Sequence, residues 1–369
     1  MHILLSQPFS VFGFHLLLSR FGKAMNMALV LALFVFAGII NGSFALFIKY
    51  IRGWVYENIW FQWSLWTFLI LPWLFILLIT PQVFAIYAAA PARFISIMII
   101  GGIVFGIGMI CFAYALHSVG LGLAFVLNIG IGTVLGSLFP LIFQYPEEID
   151  TSFGMVTIIG TLFAIIGIIL CTKAGHLRDR AQKGIAGEEP VHGIHAKKGY
   201  FAGIILGAVA GLTSAVQNFS FSETEGLQAI ALEHGAIELG AANIMWPGFS
   251  LVSLIPYAAY MLYLLKKNRT FRNYTLPGTR IYFLFGMIMG LCAFGSMVIY
   301  SKAAEIIGEL GPVVGWPLYM IFIILTANFW GYIHGEWKGV SKRVAFVMLS
   351  GIALLVAAVV NLAMGCYLR

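Results

Sequence analysis

Uncharged polar side chains lie inside the long apolar runs of this sequence, and they are its best candidates for chemistry. Five amides stand in or at the end of such runs: Asn41, Asn128, Gln217, Asn218 and Asn328. An amide in hydrocarbon costs free energy unless it finds a hydrogen-bond partner. Any one of these amides could bond a neighbouring helix, but together they could line one cavity. We therefore treat all five as candidate ligand-binding residues.

Large aromatic residues accompany the amides, and Trp246, Trp316 and Tyr319 are the most informative of them. Each of these tryptophans directly precedes a proline, which frees backbone carbonyls and permits a kink inside an apolar run. Aromatic rings can stack on the apolar faces of a sugar while amides bond its hydroxyl groups. The eight residues together predict a site for a neutral, hydroxyl-rich molecule, with Trp316 as the leading contact. The alternative for such rings is an interfacial aromatic belt.

Proton coupling would require a titratable group, and no Asp, Glu, Lys or Arg stands clearly at the centre of an apolar run. This pattern argues against a central carboxylate relay and favours a neutral cargo. The candidates for coupling lie near the ends of the runs: Glu57, His117, Glu305, His334 and Glu336. Histidine titrates near neutral pH, and a carboxyl can do so when burial raises its pKa. A solvated or helix-capping role is the alternative for each.

Catalytic and metal-binding signatures are missing from the sequence. It contains no paired-carboxylate cluster, no His-x-x-x-His or Cys-x-x-Cys spacing and no Gly-x-Ser-x-Gly. The connections between apolar runs are also too short to hold a soluble catalytic domain. We expect neither an enzyme nor a metal or cofactor, and a membrane-embedded enzyme or sensor is the weaker alternative. The four cysteines lie in or beside apolar runs and are expected to be buried thiols.

The elements that must position these residues are membrane-spanning helices. Of 369 residues, 61% are hydrophobic and only 9% are charged, which is too little charge to cover a surface that faces water. Lipid is the simple alternative solvent, and a spanning helix needs about 20 apolar residues. Ten segments qualify: 25–48, 60–79, 94–116, 121–143, 153–172, 200–216, 239–265, 281–301, 312–333 and 344–366. Their length favours helices over the short alternating strands of a membrane barrel.

Basic residues are distributed unevenly between the connections. The net charge of +7 is not a nucleic-acid signal, because Lys and Arg occur in short clusters between apolar runs. Connections after odd-numbered segments hold most of them, whereas the even-numbered connections hold only Arg93 and Lys302. The positive-inside rule then places the basic connections in the cytoplasm and both termini in the periplasm of a bacterial inner membrane. An additional span before Met25 would instead place the N-terminus inside.

The longest polar stretch, residues 173–199, divides the chain into repeats at 25–172 and 200–369. Each repeat contains five segments, and because five is odd the second must enter the membrane in the opposite sense. Residues 1–24 are either an N-terminal extension or a start-site artefact. The predicted fold class is an all-α integral membrane protein with ten transmembrane helices in a five-plus-five inverted repeat. Gly38 and Gly42 echo Gly207 and Gly211 at equivalent places in the two repeats.

Several motifs resemble those of the bacterial L-rhamnose–proton symporter family. Residues 49–60 place a basic pair before Trp, then Glu and another Trp, and Leu-Pro-Trp follows at 71–73. Residues 172–178 resemble the start of that family's central basic loop, and the Glu-Trp pair at 336–337 resembles its pair after the ninth helix. The family belongs to the drug/metabolite transporter superfamily. The resemblance implies ten helices in two inverted sets of five.

The resemblance also implies proton-linked uptake of a neutral sugar, L-rhamnose or similar, by alternating access. The expected partners are the sugar, a proton and the lipid bilayer, without nucleic acid. The second half departs more from the family pattern, at 222–239 and around Trp316, which bears on the identity of the sugar. An exporter or an uncoupled carrier of another small metabolite is the alternative function.

Overall fold

The computed structural model describes residues 9–186 and 195–368, and within them the side chains of residues 26–119, 123–178, 199–365 and 367. These residues form helices joined by short turns, and the described part of the chain contains no strand. The α-helices are α1 Phe9–Ser43, α2 Tyr56–Ser64, α3 Leu71–Ile79, α4 Val83–Ala89, α5 Ala92–Phe125, α6 Ile131–Phe143, α7 Ser152–Ala186, α8 His195–Glu223, α9 Gly226–Glu233, α10 Glu238–Ala242, α11 Trp246–Lys267, α12 Arg280–Ile307, α13 Gly311–Ile333 and α14 Lys342–Leu368.

Within the described residues, ten helical stretches are long and apolar enough to cross a membrane, which confirms the predicted number. In chain order, spans 1 to 10 are Asn26–Tyr50, Tyr56–Ile79, Ala92–Val119, Leu123–Phe143, Ser152–Arg178, Gly199–Glu223, Glu238–Lys267, Arg280–Ile307, Gly311–Ile333 and Lys342–Gly365. Helices suit this setting because all their backbone hydrogen bonds are made within the segment. The predicted linker at 173–199 begins inside α7, which continues to Ala186; residues 187–194 lie outside the described part of the chain.

Large apolar side chains cover the outer surface of the bundle. Leu78, Ile100 and Phe346 are 72%, 61% and 70% exposed, and many other apolar residues of the spans are similarly open. A surface of this kind is costly in water and neutral in hydrocarbon. The exposed faces are therefore the faces that contact lipid.

Four of the spans contain segments that depart from a regular α-helix, and the first of them, span 1, ends in a 3₁₀-helix at Phe44–Tyr50. Residues Leu65–Ile70 of span 2 and Val126–Gly130 of span 4 form π-helical turns, a feature often found at functional sites. Span 7 is divided between α10 and α11, and Trp246 begins the second piece. The sequence predicted span 7 as one continuous segment; the break follows from Pro247, which cannot donate a backbone hydrogen bond to the preceding turn.

The two halves of the bundle pack in the same pattern. Span 1 packs against spans 8 and 9, and span 6 packs against spans 3 and 4. Span 2 packs against spans 7 and 8, span 7 against spans 2 and 3, and span 5 against span 10. If five is added to each span number, and numbers above ten are counted again from one, each of these pairs becomes another pair of the same set. The pair of spans 1 and 9, for example, becomes the pair of spans 6 and 4. This is the arrangement of a five-plus-five inverted repeat.

The two glycine motifs occupy equivalent interfaces in this pattern. A Cβ atom at Gly38 would lie 2.2 Å from Phe322 Cβ on span 9, and one at Gly211 would lie 2.4 Å from the carbonyl of Leu127 on span 4. The contacts of span 1 with span 9 and of span 6 with span 4 are equivalent under the repeat. Glycine is required at both places because the helices approach closely.

The connections collect on two opposite sides of the bundle. Connections 51–55, 268–279 and 334–341 lie together at one end, which we call the basic side. Connections 80–91, 144–151, 224–237 and 308–310 lie at the other end, which we call the acidic side. Hydrogen bonds between connections mark both ends, such as that from Gln82 to the carbonyl of His234 on the acidic side, at 3.0 Å.

Candidate functional site

A closed set of polar side chains lies near mid-span between spans 1, 8 and 9. Asn41 Nδ2 donates to Ser296 Oγ at 2.8 Å and to Tyr319 OH at 2.7 Å. Ser296 donates to its own helix at the carbonyl of Ala293, at 2.7 Å, so Tyr319 OH is the donor in its 2.7 Å bond with Ser296. The Oδ1 atom of Asn41 accepts no hydrogen bond from the described residues, and Asn41 is partly exposed. This oxygen is therefore free to accept from a ligand.

Asn218 lies at the centre of a second set, and both of its side-chain polar atoms have hydrogen-bond partners. Its Nδ2 donates to the carbonyls of Gly136 and Pro312 at 2.8 and 2.9 Å, and its Oδ1 accepts from Tyr300 OH. Pro140 has no N–H, so the Gly136 carbonyl lacks the partner that an α-helix normally provides. Asn218 supplies that partner from span 6, which is a structural use of the amide.

A side chain also bonds a proline-deprived carbonyl on span 9. Pro317 leaves the carbonyl of Val313 without its helical donor, and Ser137 Oγ donates to that carbonyl at 2.6 Å. Two prolines on adjacent spans are thus compensated by side chains from other spans. The kinked helices remain fully satisfied at a depth where water is scarce.

Aromatic rings surround Tyr300. Its ring centroid lies 5.2 Å from that of Tyr319, 5.6 Å from that of Trp316 and 6.0 Å from that of Phe34. Trp316 is 1% exposed and donates its Nε1 hydrogen to the carbonyl of Gly132 at 3.0 Å. The leading sequence candidate therefore lies in the central cluster, which we define as Asn41, Asn218, Ser296, Tyr300, Trp316 and Tyr319.

Trp246 adjoins the central cluster through Phe221. The two rings are stacked, with centroids 5.4 Å apart and planes at 10°, and Phe221 lies 5.7 Å from Tyr300. Trp246 Nε1 donates to Ser301 Oγ at 2.6 Å. Four of the eight predicted binding residues thus belong to the cluster, and Trp246 is separated from it by one ring.

The other three predicted binding residues lie apart. Asn328 donates to the carbonyl of Ile324 in its own helix at 2.9 Å. Asn128, in the π-helical turn of span 4, and Gln217 on span 6 are partly exposed, and within the described residues neither side chain makes a hydrogen bond. Asn128 and Gln217 therefore retain free amides, whereas Asn328 is accounted for by its helix.

Tyr300 and Ser296 are cluster residues that the sequence did not reveal. Both stand on span 8, in a run of apolar and small residues without an amide. A usable signal was their spacing, because residues four positions apart lie on one helix face. Tyrosine and serine hydroxyls on one face of an apolar helix indicate a polar stripe.

Two clefts open beside the cluster near the acidic side. One has a volume of about 10 Å³, room for about one water molecule, and is lined by Phe221, Glu225, Gln228, Ala304, Glu305, Gly308 and Pro312. The other is too narrow to admit a water molecule and is lined by Phe221, Thr224, Gln228, Ala241, Ala242, Ile244 and Met245. Phe221 lines both clefts, so its ring separates them from Trp246 and Tyr300.

Acidic side chains line the larger cleft. Burial raises the pKa of Glu225, and the nearby charge of Glu309 raises it further, while a hydrogen bond with Tyr145 partly offsets both effects. Glu305, a predicted coupling residue, lies 2.7 Å from Lys302 Nζ, which also contacts Glu238 at 2.7 Å. Glu225 was not among the sequence candidates, because partial burial and a like charge are properties of the fold.

Glu57 and His117 lie on the basic side. Glu57 is 5% exposed, and its Oε1 accepts from Asn268 Nδ2 at 2.9 Å and from Thr270 Oγ1 at 2.8 Å. It therefore fastens the connection after span 7 to span 2. His117 Nδ1 lies 2.9 Å from the carbonyl of Ala113 in its own helix.

Glu336 holds three parts of the basic side together. Its two oxygens lie 2.7 Å from Lys49 Nζ and 2.7 Å from Arg178 Nη1, at the ends of spans 1 and 5. Burial alone would raise its pKa, but the hydrogen bond from Lys49 and the charge of Arg178 hold the pKa below its usual value. His334 is exposed and contacts the carbonyl of Trp330 at 2.8 Å.

This arrangement can bind a neutral ligand better than an ion. The central cluster contributes amide, hydroxyl and aromatic groups from spans 1, 6, 8 and 9, and it contains no charged side chain. Buried charges without partners are strongly disfavoured in hydrocarbon. The titratable groups lie near the two ends of the bundle, away from the cluster.

Known proteins are similar in sequence to most of this chain. A relative from Citrobacter koseri named L-rhamnose-proton symporter is 25% identical over 321 residues, which cover 86% of this chain and 92% of the relative. A Yersinia pestis protein of the same name is 26% identical over 326 residues, with the same coverage of both chains. The family model described as L-rhamnose-proton symport protein matches residues 22–366, so the chain belongs to the L-rhamnose-proton symport protein family.

Proposed function

We propose that this protein is a secondary active transporter that takes up L-rhamnose, or a similar neutral sugar, together with a proton. The observation that carries the proposal is the uncharged central cluster, placed where the two inverted halves meet. Sites at the interface of inverted repeats are typical of secondary transporters. Family membership supports the same cargo.

The cluster offers each kind of contact that a sugar requires. Asn41 Oδ1 can accept from a hydroxyl group, and the Tyr319 and Tyr300 hydroxyls can donate when the spans separate. Trp316 provides an aromatic face. Asn128 and Gln217, on spans 4 and 6, lie apart from the cluster but retain free amides that could bond a sugar elsewhere along its path.

Alternating access would use two closures, one at each end of the bundle. On the basic side, Glu336 links spans 1 and 5 to the connection after span 9 through Lys49 and Arg178. On the acidic side, Glu223 binds Arg93 of span 3 and accepts from Gln144, which follows span 4, at 2.9 Å. The two closures involve the span 1–span 9 and span 6–span 4 pairs that the repeat relates.

We place the basic side in the cytoplasm of a bacterial inner membrane, with both termini in the periplasm. The support is the distribution of Lys and Arg between the two sides. Sugar would then enter from the acidic side, past Phe221, and leave from the basic side.

Glu225 is the protonation site that the geometry favours. It lines the cleft through which the sugar would enter, and it holds its proton to a higher pH than an ordinary carboxyl. Glu305 and Glu336 form ion pairs with basic side chains, and Glu57 accepts hydrogen bonds from Asn268 and Thr270. They suit a structural role better than proton exchange.

Uptake of labelled L-rhamnose into proteoliposomes tests the proposal. With an imposed proton gradient the vesicles should accumulate the sugar above its external concentration, and a protonophore should abolish this accumulation. Equilibration that ignores the gradient would favour the uncoupled carrier, and the absence of L-rhamnose uptake would exclude the proposed cargo.

A further inference from the structure

Buried polar atoms without a partner concentrate on span 2. Gln62, Trp63 and Thr67 are 5%, 7% and 7% exposed. Gln62 Oε1, Trp63 Nε1 and Thr67 Oγ1 are buried and make no hydrogen bond with the described residues. They offer one acceptor, one donor and one hydroxyl within a short stretch of one helix.

Without hydrogen-bond partners, these three buried atoms lower the stability of the fold. An unsatisfied buried polar group destabilises a protein by about 1–3 kcal/mol, and native folds retain few of them. Some threonines in the spans avoid the cost by donating to the carbonyl four residues earlier, as Thr133 and Thr161 do at 2.6 and 2.8 Å, whereas Thr157 of span 5 does not. Thr67 lies in a π-helical turn and does not make this bond.

Span 8 leaves room for the Oε1 atom of Gln62. A Cβ atom at Gly286 would lie 1.4 Å from Gln62 Oε1, so only glycine allows this oxygen its position. The other end of the amide is fixed, because Gln62 Nε2 donates to the carbonyl of Phe283 at 3.0 Å. Gln62 Oε1 is thus held in place without a hydrogen-bond donor among the described residues.

An unbroken series of aromatic contacts connects this segment with the acidic-side clefts. It runs through Trp63, Phe68, Phe105, Phe249, Trp246 and Phe221, with successive ring centroids 5.4 to 6.3 Å apart. The distance between this segment and the central cluster can be measured along span 8. The backbone of Thr67 lies beside Gly290 of that span, and Ser296 of the central cluster is about 9 Å further along the same helix. The segment therefore lies between the cluster and the basic side.

We propose that Gln62, Trp63 and Thr67 form a second subsite for a neutral polyhydroxylated ligand, occupied after the sugar leaves the central cluster. Sugar hydroxyls would accept from Trp63 Nε1, exchange a hydrogen bond with Thr67 Oγ1 and donate to Gln62 Oε1. The inference rests on the proposed function and adds a binding step to it.

Two variants that each remove one polar group test the subsite. W63F removes the indole N–H and T67V replaces the hydroxyl with a methyl group. Equilibrium binding of radiolabelled L-rhamnose to purified protein should weaken about three- to tenfold in each, the value of one neutral hydrogen bond. Thermal stability without sugar should stay the same or rise in T67V, since the change removes an unsatisfied buried group. W63F also loses indole packing, but it should lose less stability than a Trp→Phe change at a tryptophan whose N–H has a partner.

Matched controls use residues whose polar atoms have protein partners. Trp54 Nε1 donates to the carbonyl of Asn273 at 3.0 Å, and Thr161 Oγ1 donates within span 5. W54F and T161V should therefore bind L-rhamnose as tightly as wild type, and W54F should melt at a lower temperature.

The outcomes separate the two proposals. Wild-type affinity in both W63F and T67V would overturn the subsite while leaving the proposed function intact. Weaker binding together with a lower melting temperature in T67V, and a loss of stability in W63F as large as in W54F, would assign these atoms a structural role and also overturn it. Wild-type protein that binds no L-rhamnose would remove the proposed function, and the subsite with it.

Discussion

Asn218 compensates for Pro140: the amide Nδ2 of Asn218 on span 6 donates at 2.8 Å to the Gly136 carbonyl, which Pro140 deprives of its helical donor. The same amide bonds the Pro312 carbonyl and accepts from Tyr300. One side chain thereby joins spans 4, 6, 8 and 9 around the central cluster.

This relationship predicts a conditional loss of stability. N218A leaves buried carbonyl and hydroxyl groups without partners and should lower the free energy of unfolding by about 3 kcal/mol. Adding P140A restores an N–H beside the Gly136 carbonyl and should recover about 1 kcal/mol. Denaturation of the four proteins of this double-mutant cycle measures both values, and strictly additive effects would contradict the assignment.

Asn41 should be required for sugar affinity. N41A removes the free Oδ1 acceptor and the two donors that orient Ser296 and Tyr319, so L-rhamnose binding should weaken about tenfold. N328A is the matched control, because its amide bonds only its own helix. Equal affinities for N41A and wild type would exclude Asn41 from the site.

Glu225 should be required for accumulation but not for exchange. One proton that crosses about 100 mV supplies about 2.3 kcal/mol, enough for an accumulation of about 50-fold. E225Q should reduce that ratio to near one while sugar exchange between the two sides continues. E233Q, at an exposed position of the same connection, should behave as wild type.

The pH dependence of uptake provides a second readout for Glu225. Its raised pKa means that it keeps a proton above the usual range of a carboxyl and loses that proton as pH rises. Uptake by wild type should therefore fall as the external pH rises, and E225Q should show a flatter profile. Parallel profiles for the two proteins would place the coupling group elsewhere.

Glu336 should stabilise the protein except in acid. Its folded-state pKa is depressed, so its contribution is complete above the pKa of an unfolded carboxyl, about 4.3, and disappears as pH falls through the lower folded value. The melting temperature of E336Q should lie below that of wild type at pH 7 and approach it below about pH 4. A constant difference across this range would show that the ion pairs with Lys49 and Arg178 contribute nothing.

Single cysteines should report the orientation of the bundle. Glu147 on the acidic side and Thr275 on the basic side are both exposed. In a cysteine-free background, a membrane-impermeant maleimide should label E147C in intact cells and T275C only after lysis. The reverse pattern would invert the proposed topology.

The sequence was sufficient for the bundle but only partly for the site. Apolar length and the odd number of spans in each half predict ten helices and an inverted repeat, because lipid allows so few alternatives. Asn218 and Asn328 are both amides inside apolar runs, yet the first joins four spans and the second bonds its own helix. This difference depends on helix rotation, and one residue of register turns a side chain by about 100°.

Some of the missing information was present in the sequence in a weaker form. Pro140 and Pro317 identify the Gly136 and Val313 carbonyls as groups that need donors, although not which side chains provide them. The free polar atoms of Gln62 and Thr67 depend on a π-helical turn and on the closeness of span 8, and neither feature has a local sequence signal.

The central claim is tested most directly by the pH of a weakly buffered suspension of energised membrane vesicles that contain the protein. Adding L-rhamnose should cause a transient alkalinisation of the medium, because each sugar molecule enters with a proton, and a protonophore should abolish the signal. Uptake of labelled L-rhamnose without any alkalinisation would contradict symport, and the absence of both would contradict the assignment of this sugar.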